Sequence, residues 1–172
     1  MTDVRIVHRF DCDETTFWDR VFFDKEFNRN MYLNHLQFEN WQITEQVETE
    51  TTISRTVAVT PKVGDLPGAV KSLIGDNLSY REIGTFDKRT RHYQLTVVSS
   101  VLSDKLSVQG DTWVEPLSAH QCDRIFEAHV NVKMFGIGSI VEKRLIADLQ
   151  LSYNAGAVFT AEYLKQQGLS RA

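Results

Sequence analysis

The stretch that decides the fold is GIGSIVEKRLIADLQLSYNAGAVFTAEYLKQQ, residues 136 to 167. It has no proline and is long enough for about eight turns of α-helix. At 100° per residue, Val141, Leu145, Leu149, Tyr153, Gly156, Phe159 and Tyr163 share one broad arc, while Lys143, Arg144, Gln150, Asn154, Glu162 and Lys165 gather opposite. The spacing predicts a long amphipathic helix over 137–166 with one buried face. Glu142, Ser152 and Thr160 also fall inside the apolar arc. Gly156 sits at its centre, where glycine weakens a helix and is tolerated best if a backbone or a ligand comes close. The polar members have two readings: they bond back to the helix backbone, or they face something held against the helix.

The upstream chain supplies a surface for that face. Val4, Ile6, His8 and Phe10 alternate with Arg5, Val7 and Arg9, the period of a half-buried strand. Asp11 or Asp13 then offers a helix N-cap ahead of Phe17, Trp18, Val21 and Phe22 at helical spacing. Phe27, Met31, Tyr32 and Leu36 continue as a second short helix or irregular turn. Alternating runs at 41–47 and 53–59 flank the polar Glu48-Thr49-Glu50 and read as a hairpin. A loop with Pro61, Gly64 and Pro67 leads into a short helix over 68–75, with Gly75 just after its end. Strand-like runs at 78–86, 92–101, 105–114 and 124–134, separated by polar turns, complete an antiparallel meander with one apolar face.

One helix cannot cover seven strands if the sheet is flat. The expected fold is therefore α+β: a curved antiparallel sheet of about seven strands around the long C-terminal helix, with the short N-terminal helices closing one end. Residues 1–172 form a single domain in this reading. Such an architecture leaves room for an internal cavity, the usual setting for a small-molecule site.

Composition narrows the function classes. A hydrophobic content of 42%, a charged content of 24% and a net charge of -4 are those of an ordinary globular chain. Lys and Arg are scattered, and the cluster Lys88, Arg89 and Arg91 sits in an expected turn, so no nucleic-acid partner is implied. The start of the chain lacks the pattern of a signal peptide and no run approaches a membrane span, so the expected location is cytoplasmic. Cys12 and Cys122 have no ligand-like spacing and are expected as free thiols. The five histidines form no metal-ligand pattern, and cofactor signatures such as a Walker loop or Gly-x-Gly-x-x-Gly after a strand are absent; neither metal nor cofactor is expected. Gly136-Ile137-Gly138-Ser139 reads as a tight strand-to-helix turn rather than an anion site.

With the elements in this order, the chain resembles the START-like, or helix-grip, superfamily, which includes START lipid-binding domains, polyketide cyclase-like proteins and the birch-pollen allergen family. Residues 65–75, Asp-Leu-Pro-Gly-Ala-Val-Lys-Ser-Leu-Ile-Gly, and 132–143, Val-Lys-Met-Phe-Gly-Ile-Gly-Ser-Ile-Val-Glu-Lys, are similar to a group of uncharacterised bacterial START-like proteins. The first segment also looks like part of the PRELI phospholipid-transfer domains. The resemblance implies a hydrophobic-ligand cavity beneath the C-terminal helix.

The leading expectation is non-covalent binding or transport of a lipid-like or polyketide-like molecule. The alternative is a cyclase- or hydrolase-type enzyme in the same cavity. Polar residues on otherwise apolar strand sides carry both: His8 beside Ile6 and Phe10, Glu45 between Ile43 and Val47, Arg55 between Ile53 and Val57. With the hairpin turn at 48–50, Glu45 and Arg55 fall on one face and near-opposite, within reach of a salt bridge or of one ligand's polar end. The expected lining is completed by Trp41, Val57, Tyr93, Leu95, Val108, Leu145, Leu149, Ser152, Tyr153, Gly156 and Phe159. Leu66, Val70, Leu73 and Ile74 are expected to form a lid, with Lys71 at its rim in transient contact with an acidic head group or membrane surface. The sequence sets no oligomeric state.

Overall fold

The computed structural model describes residues 1–62, 68, 71, 72, 75 and 78–170. Seven strands form one antiparallel sheet: β1 (Thr2–Phe10), β2 (Asn40–Glu48), β3 (Thr52–Thr60), β4 (Tyr80–Asp87), β5 (His92–Ser99), β6 (Leu106–Ser118) and β7 (Gln121–Val132). Their order is β1-β7-β6-β5-β4-β3-β2. The sheet curves around the long helix α3 (Gly138–Gln166), one residue shorter than the hydrophobic periodicity predicts.

Between β1 and β2 the chain forms two short helices, each opened by an aspartate. Asp13 accepts from the Thr16 amide ahead of α1 (Glu14–Phe17), and Asp24 from the Phe27 amide ahead of α2 (Lys25–Arg29), both at 2.7 Å. Each runs on into a wider π-helical turn, closed by Phe23 N to Trp18 O at 2.9 Å and by Leu36 N to Met31 O at 2.8 Å. The wider turns gather aromatic side chains that a regular helix would spread around its circumference: Phe17, Trp18, Phe22 and Phe23 pack ring to ring with Phe10, Phe86 and Tyr93. This aromatic cluster closes one end of the sheet. Cys12 and Cys122 lie within it, both free and buried.

Two glycines fix close approaches. Tyr93, fully buried on β5, lies across Gly84 of the neighbouring strand so closely that a Cβ there would stand 2.0 Å from the Tyr93 hydroxyl oxygen. At the turn into α3, a Cβ on Gly138 would meet the Val132 carbonyl at 2.7 Å, while Gly138 N donates to Met134 O. The Gly-Ile-Gly motif is thus a packing turn.

The polar members of the helix's apolar arc divide. Glu142 clamps the helix start to the sheet, accepting from the Val132 amide at 2.9 Å and the Thr2 hydroxyl at 3.0 Å. Thr160 donates back to Gly156 O at 2.7 Å. Half-buried Ser152 makes no hydrogen bond among the described residues. Gly156 faces the second π turn, where a Cβ would meet Met31 Sδ at 3.2 Å. A neighbouring protein segment is what comes close there.

Candidate functional site

The concave side of the sheet holds two arginines. The first, Arg55 on β3, is 7% exposed and fully engaged. Its Nε donates to the Tyr93 hydroxyl at 3.2 Å and its Nη1 to Phe22 O at 3.3 Å, while Nη2 lies 3.8 Å from Glu82 Oε1. Tyr93 in turn donates to Glu82 Oε1 at 2.9 Å. The guanidinium carbon also stands 4.7 Å from the Phe22 ring centre and 5.1 Å from that of Tyr93. Burial alone would push this arginine's pKa down; Tyr93 and Glu82 outweigh it and hold the pKa above its ordinary value.

Glu45 is not part of this clamp, contrary to the sequence expectation. A β-bulge between Ile43 and Glu45 shifts the register, so that Glu45 stands opposite Thr56 and Gln46 opposite Arg55. With a side-chain period of two, one extra residue turns Glu45 to the solvent side, where it is exposed. Glu82 takes the place expected of Glu45.

The second arginine, Arg124 on β7, is handled differently. Its Nη2 donates to Nδ1 of His8, its partner across the β1–β7 ladder, at 2.5 Å. The other imidazole nitrogen, Nε2, donates to Asn154 Oδ1 on α3 at 2.8 Å. This pattern holds His8 neutral, and burial together with Arg124 lowers its pKa. The guanidinium carbon lies 4.7 Å from the Tyr153 ring centre and 5.6 Å from that of Phe10. No carboxylate reaches Arg124 among the described residues, and its Nε is buried without a hydrogen-bond partner. Burial here wins, and the pKa falls below its ordinary value.

Three tyrosines stand between these arginines. Burial pushes the Tyr32 hydroxyl up to about 12 and those of Tyr80 and Tyr153 well up. Glu82 adds to the upward shift of Tyr32, and Arg55 and Arg124 oppose it. None of the three hydroxyls has a hydrogen-bond partner among the described residues, yet none is sealed off. The three side chains are half-buried, and their hydroxyls are free to bond to water or to a ligand.

The expected lining residues are spread over several packing clusters. Leu95, Leu149 and Tyr153 converge around Phe126, on which Tyr153 stacks at 4.6 Å. Trp41 and Val57 pack beside Tyr80, with Trp41 stacked on Tyr32 at 5.6 Å. Val108 is half-buried on the same side of β6 as Thr112. Leu145 packs with Val132 and Val141 near the start of α3, and Phe159 on Phe27 and His35 near its end, so these two belong to the ends of the core. His8, Glu45 and Arg55 do not form one group: Glu45 faces outward, His8 bonds to Asn154 and Arg124, and Arg55 bonds to Tyr93 and Phe22. Of the lid, Leu66, Val70, Leu73 and Ile74 lie outside the described residues. Lys71 is exposed, and Gly75, with φ +66°, ends a helical turn by donating to Lys71 O at 2.8 Å.

The sequence reading missed Arg124, Glu82, Tyr32 and Tyr80. Arg124 and Glu82 carried the same signal that singled out His8, a charge in step with apolar neighbours, here Phe126 and Ala128, or Tyr80 and Phe86. Tyr32 had no such signal because it sits in a π-helical turn.

Among the described residues no group of three His, Cys, Asp or Glu is arranged to hold a metal, and no helix is long and apolar enough to cross a membrane. A groove of about 590 Å³ on the outer face of β4–β7 is lined by polar side chains including Thr85, Gln94 and Gln109, on the opposite side of the sheet from α3.

Comparison with solved structures places this fold among START-like proteins. The Zhui aromatase/cyclase from Streptomyces sp. R1128 superposes with a TM-score of 0.67 at 12% identity, covering 95% of this chain and 94% of that one. Norcoclaurine synthase from Thalictrum flavum gives 0.63 at 15% identity, with 92% and 84% covered. A START superfamily protein from Mycobacterium smegmatis gives 0.57 at 13% identity, with 94% and 98% covered. At these identities the likeness is one of fold, and it gives no support to the local PRELI likeness. Among curated proteins no sequence match is found. A family model described as "Protein of unknown function (DUF2505)" matches residues 6–164, nearly the whole of this helix-grip unit, and the chain belongs to that family.

Proposed function

We propose that this protein binds a hydrophobic small molecule, lipid-like or polyketide-like, non-covalently between α3 and the concave face of the sheet. The observation that supports the reading is the trio of half-buried tyrosines, Tyr32, Tyr80 and Tyr153, whose hydroxyls have no hydrogen-bond partner among the described residues. A core packed for stability alone would satisfy or occlude such groups. Leu95, Leu149 and the Phe126–Tyr153 stack provide apolar walls beside them. The folds of the Streptomyces aromatase/cyclase and the Thalictrum synthase carry enzymes. Binding is favoured here because the polar set expected for a cyclase or hydrolase, His8, Glu45 and Arg55, is dispersed, and Arg55 is already bonded. Exposed Lys71 is the proposed contact for an acidic head group.

Titration with the neutral fluorophore N-phenyl-1-naphthylamine tests the reading. Saturable one-to-one binding with enhanced emission is expected, and Leu149→Trp, which fills the space from the helix side, should abolish it while the protein stays folded by circular dichroism. Absence of saturable binding to the wild type, or undiminished binding to folded Leu149→Trp, would overturn it.

A further inference from the structure

Arg124 points to the chemistry of the ligand. The side chain is half-buried with its Nε closed to solvent, and a charge held partly away from water without a counter-charge is costly. Every group facing this guanidinium is neutral or apolar. His8 accepts from it through Nδ1 and is therefore unprotonated there. The Tyr153 and Tyr32 hydroxyls stay protonated, burial being the main cause. Phe10 and Tyr153 offer ring faces. The carboxylates adjacent on β7 are committed elsewhere, Asp123 to Arg9 at 2.8 Å and Glu127 to Arg5. The guanidinium thus has one hydrogen-bond partner, a spare buried Nε and no counter-charge among the described residues.

We infer that the ligand of this site carries an acidic oxygen group, a carboxylate or comparable oxyanion, that pairs with Arg124 while its hydrophobic body lies along α3. The inference rests on the binding reading above and adds the charge of the ligand to it. A guanidinium presents N–H donors in a planar fork suited to oxyanions, and the Nε donor of this one has no partner among the described residues. Tyr153, whose ring lies 4.7 Å from the guanidinium carbon, adds a hydroxyl donor with no partner among the described residues. The polar end of the site is then at the β1–β7 side, and the Arg55 clamp lies beyond it.

A matched pair of probes separates charge from hydrophobicity. 8-Anilinonaphthalene-1-sulfonate has the skeleton of N-phenyl-1-naphthylamine with one sulfonate added. The wild type should bind the sulfonate at least about tenfold more tightly, the scale of a charge-assisted hydrogen-bonded contact. Arg124→Gln should bring the ratio of the two affinities to about one, and Arg124→Lys should retain part of the preference. Equal affinities for the two probes in the wild type would overturn the inference and leave the binding reading standing. So would a preference that survives Arg124→Gln. If the neutral probe does not bind the wild type at all, the binding reading fails and the inference fails with it.

Discussion

Arg55 and Arg124 occupy the concave side of the same sheet under opposite terms. Around Arg55 the chain supplies a carboxylate, a tyrosine hydroxyl, a backbone carbonyl and three aromatic faces. Around Arg124 it supplies one neutral histidine and two rings. A sheet able to complete the first site was under no structural compulsion to leave the second unfinished. The contrast separates a charge neutralised within the fold from one that has no counter-charge among the described residues.

The largest effects should come from breaking the finished site. Glu82→Ala leaves Arg55 buried without its counter-charge and is expected to cost about 3 kcal/mol, the lower end for a broken buried pair because Glu82 keeps some solvent contact. Arg124→Gln removes a charge that has no counter-charge, so it should leave stability unchanged or raise it. Urea unfolding of the two variants measures both, and similar losses would erase the contrast.

A smaller difference is expected between two tyrosines. Tyr93→Phe deletes the hydroxyl bridging Arg55 and Glu82 and should cost about 1–2 kcal/mol. Tyr153→Phe deletes a hydroxyl with no partner and should change stability by less than about 0.5 kcal/mol. Thermal melts that reverse this order would mean that Tyr153 is bonded in solution.

The smallest effect is the pH dependence of His8. Its folded-state pKa is lowered by burial and by Arg124, so between that value and the ordinary 6.5 the unfolded chain binds more protons. Stability should therefore rise with pH through that window, up to about 6.5. His8→Asn should flatten this segment of the profile, and an unchanged slope in the variant would exclude His8 as its source. The carboxyl groups of Asp87, Asp123 and Glu142, held below their ordinary values, lose their contribution only at lower pH.

The architecture was legible because it rests on periodicity. The stripe of Val141, Leu149 and Tyr153 fixed the helix, and the alternation in β1, β5 and β7 fixed which sides face it. The site was half legible. Arg55 and His8 stood out as polar groups in apolar registers, but the partner assigned to Arg55 was wrong because a bulge between Ile43 and Glu45 cannot be read from an alternating pattern that continues on both sides of it. The role of Gly84 was equally hidden, since it depends on a ring delivered from the next strand. Ser152 and Thr160 look alike in sequence; only the folded structure separates the hydroxyl bonded to its own helix from the one without a partner among the described residues.

Binding of a small molecule between α3 and the sheet, as proposed, is tested most directly by native mass spectrometry of gently purified protein. The account predicts a protein ion carrying one small hydrophobic molecule, released on denaturation, that ionises as an anion. A protein that is empty on purification and takes up nothing from a panel of lipids and aromatic acids would contradict it.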